Sequence, residues 1–187
     1  MQETSNLEIF KSLRGQWRIK RSLVSQPGFG FSGMLEGLAT FSPRKPTAHS
    51  TSLELLYSES GELKTENGLT LQANRKYVYR YSADEDKISV WFVKEKTKDF
   101  KGFEEVDYLF MDLEVKQHNE TTIGRGDHLC SKDMYWAEYQ WRMPGAAADD
   151  DNDEDEEEEL QVWGLRYKVK GPQKDYTSDT AYERVVP

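Results

Sequence analysis

The chain has 187 residues, 36% of them hydrophobic and 12% aromatic, which supplies a core and excludes wholesale disorder. Its formal charge is −9, yet residues 149–159 alone hold ten acids, so the remainder carries +1 and has no basic field for general nucleic-acid binding. A single cysteine excludes an intrachain disulfide and a Cys-cluster zinc site, and no run approaches the ~18–20 apolar residues of a membrane helix.

The first residues, MQETSNLEIF, lack the basic start and apolar stretch of a secretory signal, so the expected location is cytoplasmic or nuclear. They predict a short helix instead. Thr4, Ser5 and Asn6 offer N-caps, and Glu8 stands three residues after Ser5, as in a capping box. Leu7, Phe10 and Leu13 form one apolar stripe, and Gly15 can end the element. Two turns are not stable alone, so the helix is expected to dock on something larger.

Almost everything after Gly15 alternates with period two. Trp17, Ile19 and Leu23 alternate with Arg18, Lys20 and Ser22. Phe31, Gly33, Leu35, Gly37, Ala39 and Phe41 share a face, and so do Leu69, Leu71, Ala73, Arg75, Tyr77 and Tyr79. Strands are predicted over 17–23, 31–41, 51–57, 69–81, 87–93, 104–115, 120–130, 133–142, 160–170 and 179–186. Turn signals separate them at Ser60-Gly61, Asn67-Gly68, Asp84–Asp86, Pro144-Gly145 and Gly171-Pro172. No second helical pattern appears, which excludes βαβ units. The fold class expected is all-β: one antiparallel up-and-down barrel of about ten strands spanning 1–187, with a short N-terminal helix. The acidic run falls between the eighth and ninth strands. It reads as a disordered loop at 145–159, either solubilising or contacting basic proteins through residues 149–159.

Leu13-Arg14-Gly15-Gln16-Trp17 at the first strand and Tyr182-Glu183-Arg184 at the last resemble the lipocalin-like, or calycin, superfamily. There the Trp closes one barrel end and the late Arg packs across it, a cation–π contact. Further segments carry a tighter resemblance: GLATF at 37–41, RKYVYRY at 75–81, DYLF at 107–110, GDHLCSKDMY at 126–135 and GPQKDYTSDTAYER at 171–184. Together they resemble a lipocalin-like family of unknown function with H-L-C-x-x-D-x-Y and G-P-x-K-D-Y segments. That resemblance implies the fold and transfers no activity. The acidic run is not part of its pattern.

A barrel of this size holds one small ligand or fills itself with side chains. Arg21 shares a face with Trp17, Ile19 and Leu23, and Arg75 with Tyr77 and Tyr79. Each buried guanidinium needs an anion, supplied by a ligand or by a protein carboxylate. His128 shares its face with Cys130, Gly124 and Gly126, and the two glycines are expected to leave room beside it. Tyr135, Tyr139 and Trp141 share a face of the next strand. The expected ligand-binding residues are therefore Arg21, Arg75, Tyr77, Tyr79, His128, Tyr135 and Tyr139, around a partly aromatic or anionic small molecule. No catalytic residue, metal or cofactor is assigned, since H-x-C-x-x-D is not a familiar zinc spacing, and no nucleic-acid or membrane partner is expected. Two other readings stand: a scaffold whose acidic loop meets basic proteins, and an isomerase or hydrolase using His128 as acid/base. Gly171 to Tyr176 reads as a mouth loop that closes on a ligand or, the favoured reading, as a corner in which Asp175 caps backbone amides and Tyr176 plugs the barrel end.

Overall fold

A computed structural model describes residues 4–98, 102–144 and 159–186. The helix α1 (Asn6–Ser12) begins at the predicted capping box: Glu8 N donates to Ser5 Oγ at 3.2 Å, and Ser5 N donates to Glu8 Oε2 at 3.4 Å. Ten strands follow: β1 (Gly15–Ser25), β2 (Gly33–Arg44), β3 (Leu53–Thr65), β4 (Thr70–Ser82), β5 (Lys87–Lys98), β6 (Glu104–His118), β7 (Thr121–Cys130), β8 (Asp133–Trp141), β9 (Val162–Lys170) and β10 (Asp175–Arg184). Each pairs antiparallel with its chain neighbours, and β1 pairs with β10, which closes the barrel. The expected class is thus observed. The residues of the acidic run lie outside the described ones except Glu159.

Closure is concentrated at one end. Trp17 and Arg184 are direct partners in the β1–β10 register, and the guanidinium carbon stands 4.2 Å above the indole centroid. Arg184 also donates to three main-chain carbonyls, Leu160 O at 2.7 Å, Arg14 O at 2.8 Å and Ser12 O at 2.6 Å. Ile9, Phe10 and Leu13 of the helix segment are buried over this end, and Trp17 Nε1 donates to Leu13 O at 2.8 Å. The helix therefore acts as a lid, which is why so short an element persists.

The strands differ from expectation at particular places. Ser60-Gly61 is not a turn. β3 runs on to Thr65, and Gly61 faces Gly37 across the ladder. A Cβ on Gly37 would come within 2.1 Å of Ser60 O, so the pair of glycines lets two bent strands approach closely. Phe31 lies before β2 and is exposed. β10 begins at Asp175, earlier than predicted. Asp133 Oδ1, not Asp175, accepts from the Gln173 amide of the turn, at 3.2 Å. The β5–β6 register shifts between Val90 and Lys98. That irregularity accompanies the burial of the consecutive residues Phe110 and Met111.

A cluster of charged groups is buried outside the barrel lumen. Glu54 accepts from Arg44 Nε, from Arg80 Nε at 2.8 Å and from Thr47 Oγ1 at 2.9 Å, and Arg80 lies 4.7 Å over the Trp91 ring. Burial alone would raise its carboxyl pKa, but the hydrogen bonds from Arg80 and Arg44 outweigh that and hold it below the usual 4.5.

Trp17→Ala is expected to cost about 3–5 kcal/mol, the range for large buried aromatics. Arg184→Ala should cost about 2–4 kcal/mol, because three carbonyls lose a charged donor. Denaturant titrations check both, and an unchanged midpoint for either variant contradicts the closure account. Glu54 has a depressed folded pKa, so its contribution is complete above the unfolded value and disappears as pH falls through the folded one. Glu54→Gln should therefore flatten the acid limb of stability against pH below about pH 4.5.

Candidate functional site

The lumen divides into two halves along its axis. The half beneath α1 is filled. Tyr139 lies near-parallel to Trp141 and Trp163, at 5.3 and 6.0 Å, and Trp163 stacks on Tyr182 at 3.7 Å. The hydroxyls of Tyr79 and Tyr139 meet at 2.8 Å, and those of Tyr57 and Tyr182 at 2.9 Å. Burial pushes all four phenols up, Tyr182 to about 12. Tyr79 and Tyr139 are therefore the floor of the open half: both are fully packed and hydrogen-bonded to each other.

The inward side chains of the opposite half are less completely buried. Tyr77, Phe92, His128, Tyr135 and Tyr176 are only partly buried although the ladder turns them inward. Tyr77 is parallel to Phe110 at 5.7 Å. His128 has Phe92, Tyr108 and Phe110 around it at 5.9, 6.2 and 5.5 Å. Phe110 also meets the edge of Tyr135 at 5.8 Å. At the rim, Lys174 Nζ donates to the Tyr135 hydroxyl at 2.6 Å, and this bond holds the lysine above its ordinary pKa. Tyr77, His128 and Tyr135 thus come together in one aromatic cup.

The electrostatics of the cup turn on Glu59. Its carboxylate is buried and accepts twice from Arg21 Nη2, at 2.9 and 3.2 Å, while Arg21 Nε donates to Thr180 Oγ1 at 2.7 Å. Burial acts to lower the Arg21 pKa, but Tyr182 and Glu59 outweigh it and the cation is retained. Arg75 is opposite Glu59 in the β3–β4 ladder, yet its Nε stays 3.9 Å from the same carboxylate, and its side chain is 40% exposed. Two guanidinium groups share one carboxylate unequally, so a net positive charge remains inside the lumen and belongs to Arg75. Nearby, Ser178 Oγ is buried on the inner face of β10 without a hydrogen-bond partner among the described residues.

One expectation is corrected. The glycines beside His128 leave no space. A Cβ on Gly124 would meet the Trp141 ring at 2.6 Å, and one on Gly126 would meet Asp112 O at 2.9 Å and Met111 Sδ at 3.1 Å. Of the two anions considered for Arg21, a protein carboxylate is present, that of Glu59. Among the described residues, no group of three or more His, Cys, Asp or Glu could hold a metal ion. A separate hollow of about 340 Å³ lies on the outer wall, lined by Arg18, Lys20, Arg142, Gly164, Ala181 and Glu183 among others. It is on the far side of the sheet from the cup.

Several functional side chains escape a reading of the alternation. Glu59 lies beside the place where Ser60-Gly61 signals a turn, although it has the parity of Leu55 and Tyr57. Phe110 and Tyr108 are hidden by the register shift in β5–β6, which breaks the period on which face assignment depends. Phe92 carried the signal: it continues the inward parity of Ile88 and Val90.

A closed antiparallel barrel of ten strands with a helix over one end is a lipocalin-like fold. The chain belongs to the Family of unknown function (DUF6314), whose pattern matches residues 13–184. No curated protein matches it. Among solved structures it is similar to the S-type Phycobiliprotein Lyase CPES from Guillardia theta, with a TM-score of 0.60, 11% identity, and coverage of 99% of this chain and 95% of that one. At that identity the likeness establishes the fold alone.

Arg21→Met is expected to lower the melting temperature far more than Arg75→Met, since it strands a buried carboxylate whereas Arg75 is partly solvated. Equal losses in thermal unfolding would contradict the unequal sharing of Glu59.

Proposed function

We propose that the barrel is a binding protein for a small molecule with a flat apolar body and an anionic group. The carrying observation is the surplus cation: Arg21 occupies the Glu59 carboxylate at 2.9 Å, and Arg75 is left at 3.9 Å within a part-open aromatic cup. A buried or half-buried guanidinium recruits an anion, and a ligand carboxylate or sulfonate satisfies it with charge-assisted hydrogen bonds. Tyr77, Phe92, Phe110, His128 and Tyr135 supply the ring-lined walls for the apolar body. The solved lyase shares this barrel, and we take from it the barrel and not the reaction. His128 makes ring contacts but no side-chain hydrogen bond among the described residues, which suits a wall of the cup better than a proton-transfer centre.

The test uses naphthoate and its neutral analogue naphthamide, titrated against the purified chain by fluorescence. Naphthoate should bind more tightly than naphthamide. Arg75→Met should weaken naphthoate by about tenfold or more, the loss of one charged hydrogen bond, and leave naphthamide nearly unchanged. Equal affinities for the two probes, or a naphthoate affinity indifferent to Arg75→Met, would overturn the assignment.

A further inference from the structure

The large apolar side chains left exposed are unevenly placed. At the capped end Leu53, Val162 and Val186 are exposed but, among the described residues, no aromatic ring is, and the β4–β5 turn around Ala83 to Asp86 and the β6–β7 turn at Asn119-Glu120 are polar. At the open end, the β1–β2 connection exposes Phe29 and Phe31, the β3–β4 turn exposes Leu69, and the tip of β7–β8 exposes Leu129 at 63%. Just below the rim on the outer wall, Val24 and Trp136 are also exposed, on the row that runs Val24, Thr177, Lys168, Trp136 across β1, β10, β9 and β8. Exposed apolar groups are ordinary when scattered. Here Phe29, Phe31, Leu69 and Leu129 stand around the open end.

From this ring we infer that the open end of the barrel docks on the interface of an anionic lipid bilayer. Hairpin tips spaced around a mouth do not make the contiguous patch that a rigid protein partner needs, but a fluid interface conforms to separate tips. Phe and Leu enter the acyl boundary, and Trp136 sits at headgroup depth. Lys132, Lys168, Lys170 and Lys174 are exposed on the β7–β8 and β9–β10 hairpins beside Leu129 and Trp136, and they outnumber Asp127 and Asp175 of the same sector. The described residues that flank the acidic run, Pro144 and Glu159, lie at the opposite pole, where Glu159 Oε2 is 3.7 Å from Arg184 Nε. The expectation of no membrane partner rests on the lack of a spanning run, and no helix among the described residues could cross a membrane. Peripheral docking needs none. That the mouth exchanges ligand with the bilayer rests on the binding reading; the docking itself does not.

Flotation of the full chain with phosphatidylcholine vesicles, with and without phosphatidylserine, tests it. The chain should float with the mixed vesicles and less so at high salt, and brominated lipids should quench a component of its fluorescence that Trp136→Phe removes. The triple variant Phe29→Ser, Phe31→Ser, Leu129→Ser should stay unbound, and Lys132→Glu with Lys170→Glu should bind about tenfold more weakly. Both should keep naphthoate binding in solution, which separates failure of docking from failure of the cup. If the triple variant loses its near-ultraviolet dichroism, Phe29→Ser alone and the lysine variant make the comparison. No flotation of the full chain, flotation indifferent to the ring substitutions, or a concentration-dependent dimer that they abolish would overturn the inference, the last assigning this face to a second copy of the chain.

Discussion

The barrel depends on one guanidinium. Arg184 lies on the last strand, stacks on Trp17 of the first, and ties together Ser12, Arg14 and Leu160 through their carbonyls. A closed sheet has no edges only while its first and last strands pair, and this contact sits where they meet. It also fixes the chain just after α1, so the helix can cover the adjacent end. Once that end is dry, the Trp and Tyr rings beneath it pack to the density of a core, and their hydroxyls pair with each other. The same packing leaves the partly exposed inward side chains, Tyr77, His128 and Tyr135 among them, at the other end.

In that open half the controlling feature is a charge imbalance. A buried ion pair is costly unless geometry and further hydrogen bonds compensate, and Arg21 has both, with Glu59 and Thr180. Arg75 has neither in comparable degree. A fold concerned only with stability would tolerate an apolar residue at that position. The retained cation, the rings around it and the unpaired Ser178 hydroxyl make sense together if a polar, flat molecule completes the site.

The legibility of the site in the residues follows the strand period. Where pairing is regular, parity alone puts Arg21, Arg75, Tyr77, Tyr79, His128, Tyr135 and Tyr139 on inward faces. Parity does not report depth, so it cannot separate Tyr79 and Tyr139 from Tyr77 and Tyr135, though the former are floor and the latter wall. Ser60-Gly61 has turn chemistry in isolation, but the facing Gly37 makes it a close strand crossing, and the turn signal conceals Glu59. The shifted register of β5–β6 conceals Tyr108 and Phe110 for a different reason: the period itself changes there. Glycines suggest space, yet Trp141 and Met111 from neighbouring strands fill it, a long-range fact that no local pattern contains.

The central claim is that the unneutralised Arg75 guanidinium in the cup receives the ligand's anionic group. NMR that resolves guanidinium and imidazole signals during addition of naphthoate tests it most directly. The account predicts that the Arg75 and His128 signals move with ligand occupancy while Arg21, held by Glu59 and Thr180, stays in place. Shifts confined to Arg18 and Arg142 on the outer wall, with Arg75 unmoved, would contradict it.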